Sequence, residues 1–150
     1  MLKQEIIENM QKIVDNCMGE ETPACSATCP MHTDVKNYVR LIKEGKGEEA
    51  IKVIRDKIFL PGTLGRICAH PCEGKWNEGK SPMAIASLKR YAADHFDKAE
   101  DWDLETKEDN GKKVAVIGAG PSGLQAALDL RREGCEVHVF EKLPERGGML

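Results

Sequence analysis

Apolar residues recur every three or four positions through residues 1–96, the spacing that places them on one face of a helix. The pattern predicts one helix after Thr33-Asp34, one from about Glu48 to Ile58, and one opened by Ser81-Pro82. Pro61-Gly62 is expected to end the second of these helices and to open a loop. The positions that carry the pattern are Ile6, Met10, Ile13, Cys17, Val35, Tyr38, Val39, Ile42, Ile85, Leu88 and Ala92.

The spacing changes after Asn110-Gly111. Lys113–Ile117 is a short apolar run of the kind buried in parallel sheets, and Glu136–Phe140 is predicted to form a second strand. A helix is predicted between them, from about Pro121 to Glu133. The sequence therefore predicts one βαβ unit, preceded by an acidic stretch that reads as a solvated linker.

These patterns divide the chain into a helical domain (1–96), an acidic linker (97–111) and a partial nucleotide-binding unit (112–150). The predicted fold class is mainly α, followed by the first βαβ unit of a Rossmann-type domain. One βαβ unit does not close a nucleotide-binding domain, because further strands are needed to bury its sheet. The chain alone is therefore not expected to be a complete enzyme. It is interpreted as either a shortened chain or a split subunit that a second polypeptide completes.

Composition and charge bear on which partners and which cellular location to expect. The chain is 41% hydrophobic and 31% charged, with a net charge of -3, which gives no electrostatic reason to expect nucleic acid or an anionic membrane as a partner. The N-terminal stretch lacks an uninterrupted apolar run, so neither a signal peptide nor a membrane span is expected, and a cytoplasmic location is predicted. In that compartment, paired cysteines favour metal or redox chemistry over structural disulfides.

The glycine-rich segment GAGPSGLQAALDLRREG begins at Gly118, directly after the first predicted strand. Gly118 permits the tight turn, Gly120 lets the backbone approach a pyrophosphate, and Gly123 lets helix and strand pack closely. Glu141 ends the second strand, where a carboxylate can accept from ribose hydroxyls, which favours FAD or NAD over NADP. The alternative is a glycine-rich turn without a ligand. The residues expected to face the dinucleotide are Gly118, Gly120, Pro121, Ser122, Gly123 and Glu141.

Two cysteine pairs are the candidate metal ligands. Cys25-x3-Cys29-Pro30 equals the closing part of a bacterial ferredoxin cluster run, and Cys68-x3-Cys72 supplies a matching pair. Spacing alone does not separate a four-thiolate zinc site from a [4Fe–4S] cluster, and unoccupied structural cysteines are a third possibility. The iron–sulfur interpretation is favoured, since zinc sites more often use C-x2-C.

These motifs, in this order, resemble the N-terminal part of the glutamate synthase small subunit family, which includes the N-terminal region of dihydropyrimidine dehydrogenase. The stretches that carry the resemblance are the Cys25–Pro30 segment, GRICAHPCEGKW, SPMAIASLKRYAADH and KKVAVIGAGPSGLQAALDLRREGCEVHVFEKLPERGGML. The resemblance covers nearly the whole chain. It implies an α-helical ferredoxin-like domain followed by an FAD domain, in proteins where NAD(P)H reduces flavin and two [4Fe–4S] clusters carry electrons onward. Gly147-Gly148 resembles the next flavin-facing turn of the family.

The chain departs from the family at the ligands of one cluster. Cys17 and Cys25 match two of its four cysteine positions, whereas Glu20 and Trp76 occupy the other two. Neither a carboxylate nor an indole supplies the missing thiolate. The resemblance therefore implies that this cluster is absent and that one [4Fe–4S] cluster is expected.

For the other cluster, Cys29, Cys68 and Cys72 match the three thiolates that the family uses. The family's non-cysteine ligand position falls on Lys89, and an ammonium cannot ligate iron unless it is deprotonated. The fourth ligand is therefore open, with Cys25 and Cys17 as thiolate candidates. Behind them stand His32, His70 and Glu73.

The predicted function is the N-terminal electron-transfer part of an NAD(P)H-linked flavin iron–sulfur oxidoreductase that exchanges electrons with a partner protein subunit. The competing hypothesis is a helical adaptor or docking domain whose cysteines serve packing or zinc. Arg66, beside the second cysteine pair, is either a charge partner of the cluster or an ordinary surface arginine.

Overall fold

The computed structural model describes residues 22–76, 83–102 and 105–148. The chain forms two compact units, Met1–Asp97 and Lys98–Leu150. The first unit is helical in its described part, and the second contains a small parallel sheet. The patterned positions Ile6, Met10, Ile13 and Cys17 lie outside the described residues, as does Ser81-Pro82.

The described helices of the first unit are α1 (Ala24–Thr28), α2 (Val35–Lys43), α3 (Gly47–Arg55), α4 (Pro61–Ile67) and α5 (Ile85–Phe96). A 3-10 turn, Glu73–Lys75, lies between α4 and α5. The described elements of the second unit are a 3-10 turn (Ala99–Asp101), β1 (Lys113–Ile117), α6 (Pro121–Arg132) and β2 (Glu136–Phe140). None of the described helices is long and apolar enough to cross a membrane.

Helix α2 begins where the sequence predicts. The Oδ1 atom of Asp34 accepts a hydrogen bond from the Asn37 N–H at 3.0 Å, which satisfies one of the unpaired donors of the first turn. The Ser26 hydroxyl oxygen accepts from the Val35 N–H at 3.1 Å. This second bond fastens α1, and hence the first cysteine pair, to the start of α2.

The loop predicted from Pro61-Gly62 onward is wrong at its start, because Pro61–Ile67 forms α4. Proline is well suited to the first helical position, where its missing N–H would have no partner in any case. The close approach of α4 to α5 depends on Gly65. A Cβ placed at this residue would lie 2.9 Å from the Cα of Arg90 on α5.

The core of the helical unit lies where α2, α3 and α5 meet. The predicted inner face of the last helix is confirmed: Ile85 and Ala92 are buried, and Leu88 packs against the core. The Tyr38 hydroxyl donates to the Ile85 carbonyl oxygen at 3.4 Å, which joins α2 to the first turn of α5. Other buried apolar members are Val35, Leu41, Ala50, Ile51, Ile54, Ile58 and Ala93.

The second unit is a βαβ unit, as the sequence predicts. β1 and β2 pair in parallel, with Lys113 opposite Glu136 and Ile117 opposite Phe140. The stretch before β1 is exposed, as expected of a solvated segment. Its backbone is nevertheless attached to the turn after α6, because the Asn110 N–H donates to the Gly134 carbonyl oxygen at 3.1 Å.

A glycine pair in α4 provides a test of the α4–α5 packing. We expect Gly65→Ala to lower the free energy of unfolding by about 1–3 kcal/mol, because the new methyl group meets backbone that cannot rotate away. Gly62→Ala is the matched control: the nearest atom is the Arg66 Nη1 at 3.8 Å, an ordinary contact. Urea unfolding followed by helical circular dichroism measures both. Equal stability of the two variants would contradict the packing described.

Candidate functional site

Three cysteines from two distant segments line one pocket of the helical unit. Cys29 follows α1, whereas Cys68 and Cys72 belong to the segment after α4. The other lining residues come from α2, α5 and the connecting loops. They are Pro30, Thr33, Val35, Tyr38, Ile58, His70, Pro71, Ile85, Ala86 and Lys89.

Helix ends position these cysteines. Cys29 is the C-terminal cap of α1 and Cys68 that of α4, and both have extended backbone where the chain leaves its helix. His70 then adopts a positive φ of 42°, and its N–H donates to the Cys68 sulfur at 3.3 Å. The turn that leads to Cys72 therefore bends around the sulfur of Cys68.

Glu73 attaches the second cysteine pair to α5. Its Oε1 atom accepts from the Ala86 N–H at 2.9 Å, which satisfies a backbone donor in the first turn of the helix. Its Oε2 atom lies 3.1 Å from the His70 Nδ1. The carboxylate thus contacts both His70, within the Cys68–Cys72 segment, and the first turn of α5.

Burial in the pocket opposes ionisation of the Cys72 thiol and the Tyr38 phenol. Burial raises the pKa of the Cys72 thiol, with Cys29, Cys68 and Glu73 acting in the same direction and Lys89 opposing them. Burial also raises the pKa of Tyr38, and the four thiols Cys72, Cys29, Cys25 and Cys68 add to that shift. Tyr38 lines the pocket together with Cys29, Cys68 and Cys72.

The spacing of the ligating atoms bears on the choice between zinc and iron–sulfur. Among the described residues, no group of three or more His, Cys, Asp or Glu side chains is arranged to hold a single metal ion. A zinc ion needs its sulfurs about 2.3 Å from one centre. A cubane binds each thiolate to a different iron, so its ligands stand further apart. Cys29, Cys68 and Cys72 line one pocket, and the choice between zinc and a cubane stays a prediction that metal analysis tests.

The candidates for a fourth ligand differ in burial and in whether they line the pocket. Cys25 is buried, and its thiol contributes to the raised pKa of Tyr38. It is not among the residues that line the pocket. His32 is exposed, with a positive φ of 49°. His70 lines the pocket, but its ring is half exposed and pairs with Glu73.

The structure describes only some of the positions that match the family's other cluster. Cys17 and Glu20 lie outside the described residues. Trp76 is half-buried and packs against the helical core. Its indole therefore serves packing where the family pattern has a cysteine.

Arg66 is not a residue of the pocket. Its guanidinium pairs with Asp94 at 2.9 Å on the exposed surface and donates to the Gly62 carbonyl oxygen. The cation that lines the pocket is Lys89, which is buried. The resemblance places Lys89 at the family's non-cysteine ligand position, and its spacing of four residues after Ile85 and three before Ala92 is a second signal.

Sequence reasoning also missed the part that Thr33 and Tyr38 play in the pocket. The sequence pattern indicates only that Thr33 precedes a helix and that Tyr38 belongs to the apolar face of that helix. Both are buried and line the pocket, and the Cys29 sulfur donates to the Thr33 hydroxyl oxygen at 3.7 Å. A residue that packs and also borders a site has the same apolar spacing as one that only packs.

The glycine loop of the second unit has the geometry that its sequence predicts. Gly118 has a positive φ of 100°, and its N–H donates to the Phe140 carbonyl oxygen at 2.7 Å. A Cβ at Gly123 would collide with the Gly118 carbonyl oxygen. Pro121 and Ser122 are the first two residues of α6, next to its unpaired N–H groups.

Glu141 contacts this loop directly. Its Oε2 atom accepts from the Ala119 N–H at 2.7 Å, and its Oε1 atom accepts from the Leu143 N–H at 2.9 Å. These backbone donors lower the pKa of the carboxyl group and keep it ionised. A carboxylate oxygen can accept more than one hydrogen bond, so its predicted contact with a ribose remains a prediction.

The Gly147-Gly148 turn packs onto the same loop. The Gly147 N–H donates to the Ala119 carbonyl oxygen at 2.9 Å. Both glycines have positive φ, and a Cβ at Gly148 would lie 3.1 Å from the Cα of Gly120. The structure therefore brings together the glycine loop, Glu141 and this turn.

The raised pKa of Cys72 predicts how the stability of the cluster-free protein depends on pH. The unfolded chain releases this proton at a lower pH than the folded chain, so the contribution to stability is present below the unfolded pKa and is lost above it. We expect the free energy of unfolding to fall as the pH rises above about 8.5, the ordinary pKa of a thiol, and to fall less in Cys72→Ser. Urea unfolding at several pH values measures both slopes. Parallel slopes would contradict the shift.

Gly123 and Gly120 differ in how closely other backbone atoms approach them, so substitution of each tests the packing of the loop. We expect Gly123→Ala to destabilise the βαβ unit by about 1–3 kcal/mol, because its methyl group meets a backbone oxygen. Gly120→Ala has ordinary φ, and its Cβ would lie 3.9 Å from the Gly148 Cα, so we expect little loss. Hydrogen exchange of the β1 and α6 amides compares them. Equal protection in both variants would show that Gly123 is not needed for packing.

Comparison with protein families agrees with this geometry. The family model described as dihydropyrimidine dehydrogenase domain II, 4Fe-4S cluster, matches residues 3–101. The model for an NAD(P)-binding Rossmann-like domain matches residues 116–150. The first match contains all four paired cysteines, and the second begins within β1.

Individual relatives extend the comparison. The chain is 40% identical over 153 residues to the NADP(+)-dependent formate dehydrogenase subunit beta of Moorella thermoacetica, covering 86% of this chain and 22% of the relative. It is 36% identical over 152 residues to the NADPH-Fe(3+) oxidoreductase subunit beta of Geobacter sulfurreducens, covering 95% and 21%. It is 36% identical over 141 residues to the glutamate synthase [NADPH] small chain of Escherichia coli, covering 91% and 30%.

The chain thus spans less than a third of the length of these relatives. The 4Fe-4S model nevertheless covers more than half of this chain, and the nucleotide-binding model covers the βαβ unit. The chain belongs to the dihydropyrimidine dehydrogenase domain II family of 4Fe-4S proteins, alongside the glutamate synthase small chain and related oxidoreductase subunits.

Proposed function

We propose that this chain is the N-terminal electron-transfer part of an NAD(P)H-linked flavin iron–sulfur oxidoreductase. The observation that carries the proposal is the meeting of Cys29, Cys68 and Cys72 in one pocket of a 4Fe-4S domain. In this proposal the helical unit is the ferredoxin-like domain, residues 97–111 are the connecting segment, and residues 112–150 begin an FAD domain. Electrons pass between FAD and a partner subunit through the cluster.

The residues of the pocket fit an iron–sulfur cluster. Thiolates are the soft ligands that iron–sulfur clusters require. Val35, Ile58 and Ile85 give the pocket apolar walls that limit access of water. When bound, the cluster would accept and release one electron at a time, and the three cysteines would hold it.

Cys25 is the fourth ligand that the structure supports best. It is buried, and its thiol acts on Tyr38 together with the three pocket thiols. His70 and Glu73 are engaged with each other, and Glu73 also holds the start of α5. Cys17 remains the second candidate.

The proposal includes one cluster rather than two. The family's other cluster would need thiolates at Glu20 and Trp76. Trp76 packs against the core, where its indole contributes apolar contact and no metal ligand. Of the four cysteine positions of a second cubane, only Cys17 would remain once Cys25 binds the first cluster.

The glycine loop is proposed to bind FAD rather than NADPH. Ionised Glu141 lies against Ala119 within the loop, where it would repel a ribose 2′-phosphate. The printed names of the relatives include NADP(+) and NADPH. In the whole protein, the nicotinamide site is therefore expected in sequence beyond this chain.

The sheet of the second unit needs further structure to cover it. Ile117 is 81% exposed and Phe140 56% exposed, and both belong to strands of a type that is normally buried. Further strands would bury them, supplied either by a longer chain or by a second polypeptide. The relatives are named as subunits, which supports a partner polypeptide in electron transfer.

Metal analysis tests the cluster. We expect anaerobic reconstitution to give about four iron and four sulfide per chain, with visible absorption that bleaches on reduction. Cys29→Ser, Cys68→Ser and Cys72→Ser should each lose most of the bound iron. Cys135→Ser is the matched control, since this buried cysteine lies in the other unit.

Other results would contradict the proposal in different ways. About eight iron per chain would show two clusters. A colourless protein that binds zinc, or no metal, would support the adaptor hypothesis. Comparison of Cys25→Ser with Cys17→Ser identifies the fourth ligand, because only loss of the true ligand changes the paramagnetic signal of the reduced cluster.

A further inference from the structure

We propose that Lys89 supplies a fixed positive charge beside the cysteine pocket that makes the cluster of this chain easier to reduce. The inference rests on the proposed function, because it requires a cluster held by these cysteines. Lys89 lies on the core-facing side of α5 and is only 7% exposed. It lines the same pocket as Cys29, Cys68 and Cys72.

A buried ammonium is costly unless an opposite charge lies near it. Among the ion pairs that join described residues, none includes Lys89. It lines one pocket with Cys72, whose side chain is also buried. The geometry therefore places the charge of Lys89 beside the thiolates and the group that they would hold.

Neighbouring cations do not have this position. Arg90 is the next residue of the helix, but it is exposed and pairs with Asp94. Arg66 is also exposed and pairs with the same carboxylate. Solvent and salt screen such surface pairs, whereas a charge within the pocket is screened much less.

The charge balance gives the direction of the effect. A cluster held by thiolates is anionic, and reduction adds one electron without forming or breaking a bond. The electron comes from reduced flavin in the proposed enzyme, and from dithionite in the experiment below. A fixed positive charge stabilises the more negative, reduced form more than the oxidised form, so it raises the reduction potential.

A redox titration of the reconstituted chain tests the inference. The variants are Lys89→Met and Lys89→Leu, which remove the charge, and Lys89→Arg, which retains it. Lys52→Met on the exposed face of α3 is the control for loss of a lysine elsewhere. The midpoint potential is measured anaerobically at about 0.1 M and about 1 M salt, with the paramagnetic signal of the reduced cluster as a check on the ligand set.

We expect Lys89→Met and Lys89→Leu to shift the midpoint to a lower potential at both salt concentrations, without a change in the shape of the signal. Lys89→Arg and Lys52→Met should stay near the unmodified chain. Loss of the cluster in Met and Leu variants but not in the Arg variant would also support a requirement for the charge.

An unchanged or higher midpoint in both uncharged variants would overturn the inference. So would loss of the cluster in all three Lys89 variants with the fold retained, because Lys89 would then act by shape or ligation and not by charge. Failure of the unmodified chain to bind a cluster would instead refute the proposed function. The two failures are therefore distinguishable.

Discussion

The packing of α2 against α5 is the constraint on which the candidate site depends. Tyr38 on α2 lies in the core and donates to the carbonyl of Ile85 in the first turn of α5. The first cysteine pair is fastened to the start of α2 through Ser26, and the second pair to the start of α5 through Glu73. Two segments that are distant in sequence therefore meet because the helices to which they are attached meet.

That arrangement gathers several ionisable thiols in a place where burial opposes their ionisation. Burial raises the pKa of both Cys72 and Tyr38, which means that it disfavours their ionised forms. Lys89 is the buried group of opposite sign at the same pocket. An anionic cluster ligated by the thiolates would remove the need for their protons, and the buried ammonium would become part of its charge balance.

In the second unit, close contacts between backbone segments at glycine residues hold the glycine loop in place. Gly123 lies against the Gly118 carbonyl, and Gly147-Gly148 lies against the loop at Ala119 and Gly120. Glu141 contacts the same loop, because its carboxylate accepts from the Ala119 N–H, and it also accepts from the Leu143 N–H. The same unit leaves apolar strand residues such as Ile117 exposed, which is the condition of a sheet with strands still to be added.

Local patterns determined much of this protein. The helix start at Asp34, the βαβ unit and the inner face of α5 follow from short-range rules of capping and periodicity, which a sequence displays directly. Spacing and resemblance also indicated the three cysteines that line the pocket. Only the tertiary structure decided that Pro61–Ile67 is a helix against Arg90 and that Thr33 and Tyr38 border the cysteine pocket. Those outcomes depend on the distance between elements far apart in the chain, and one-dimensional spacing carries no information about that distance.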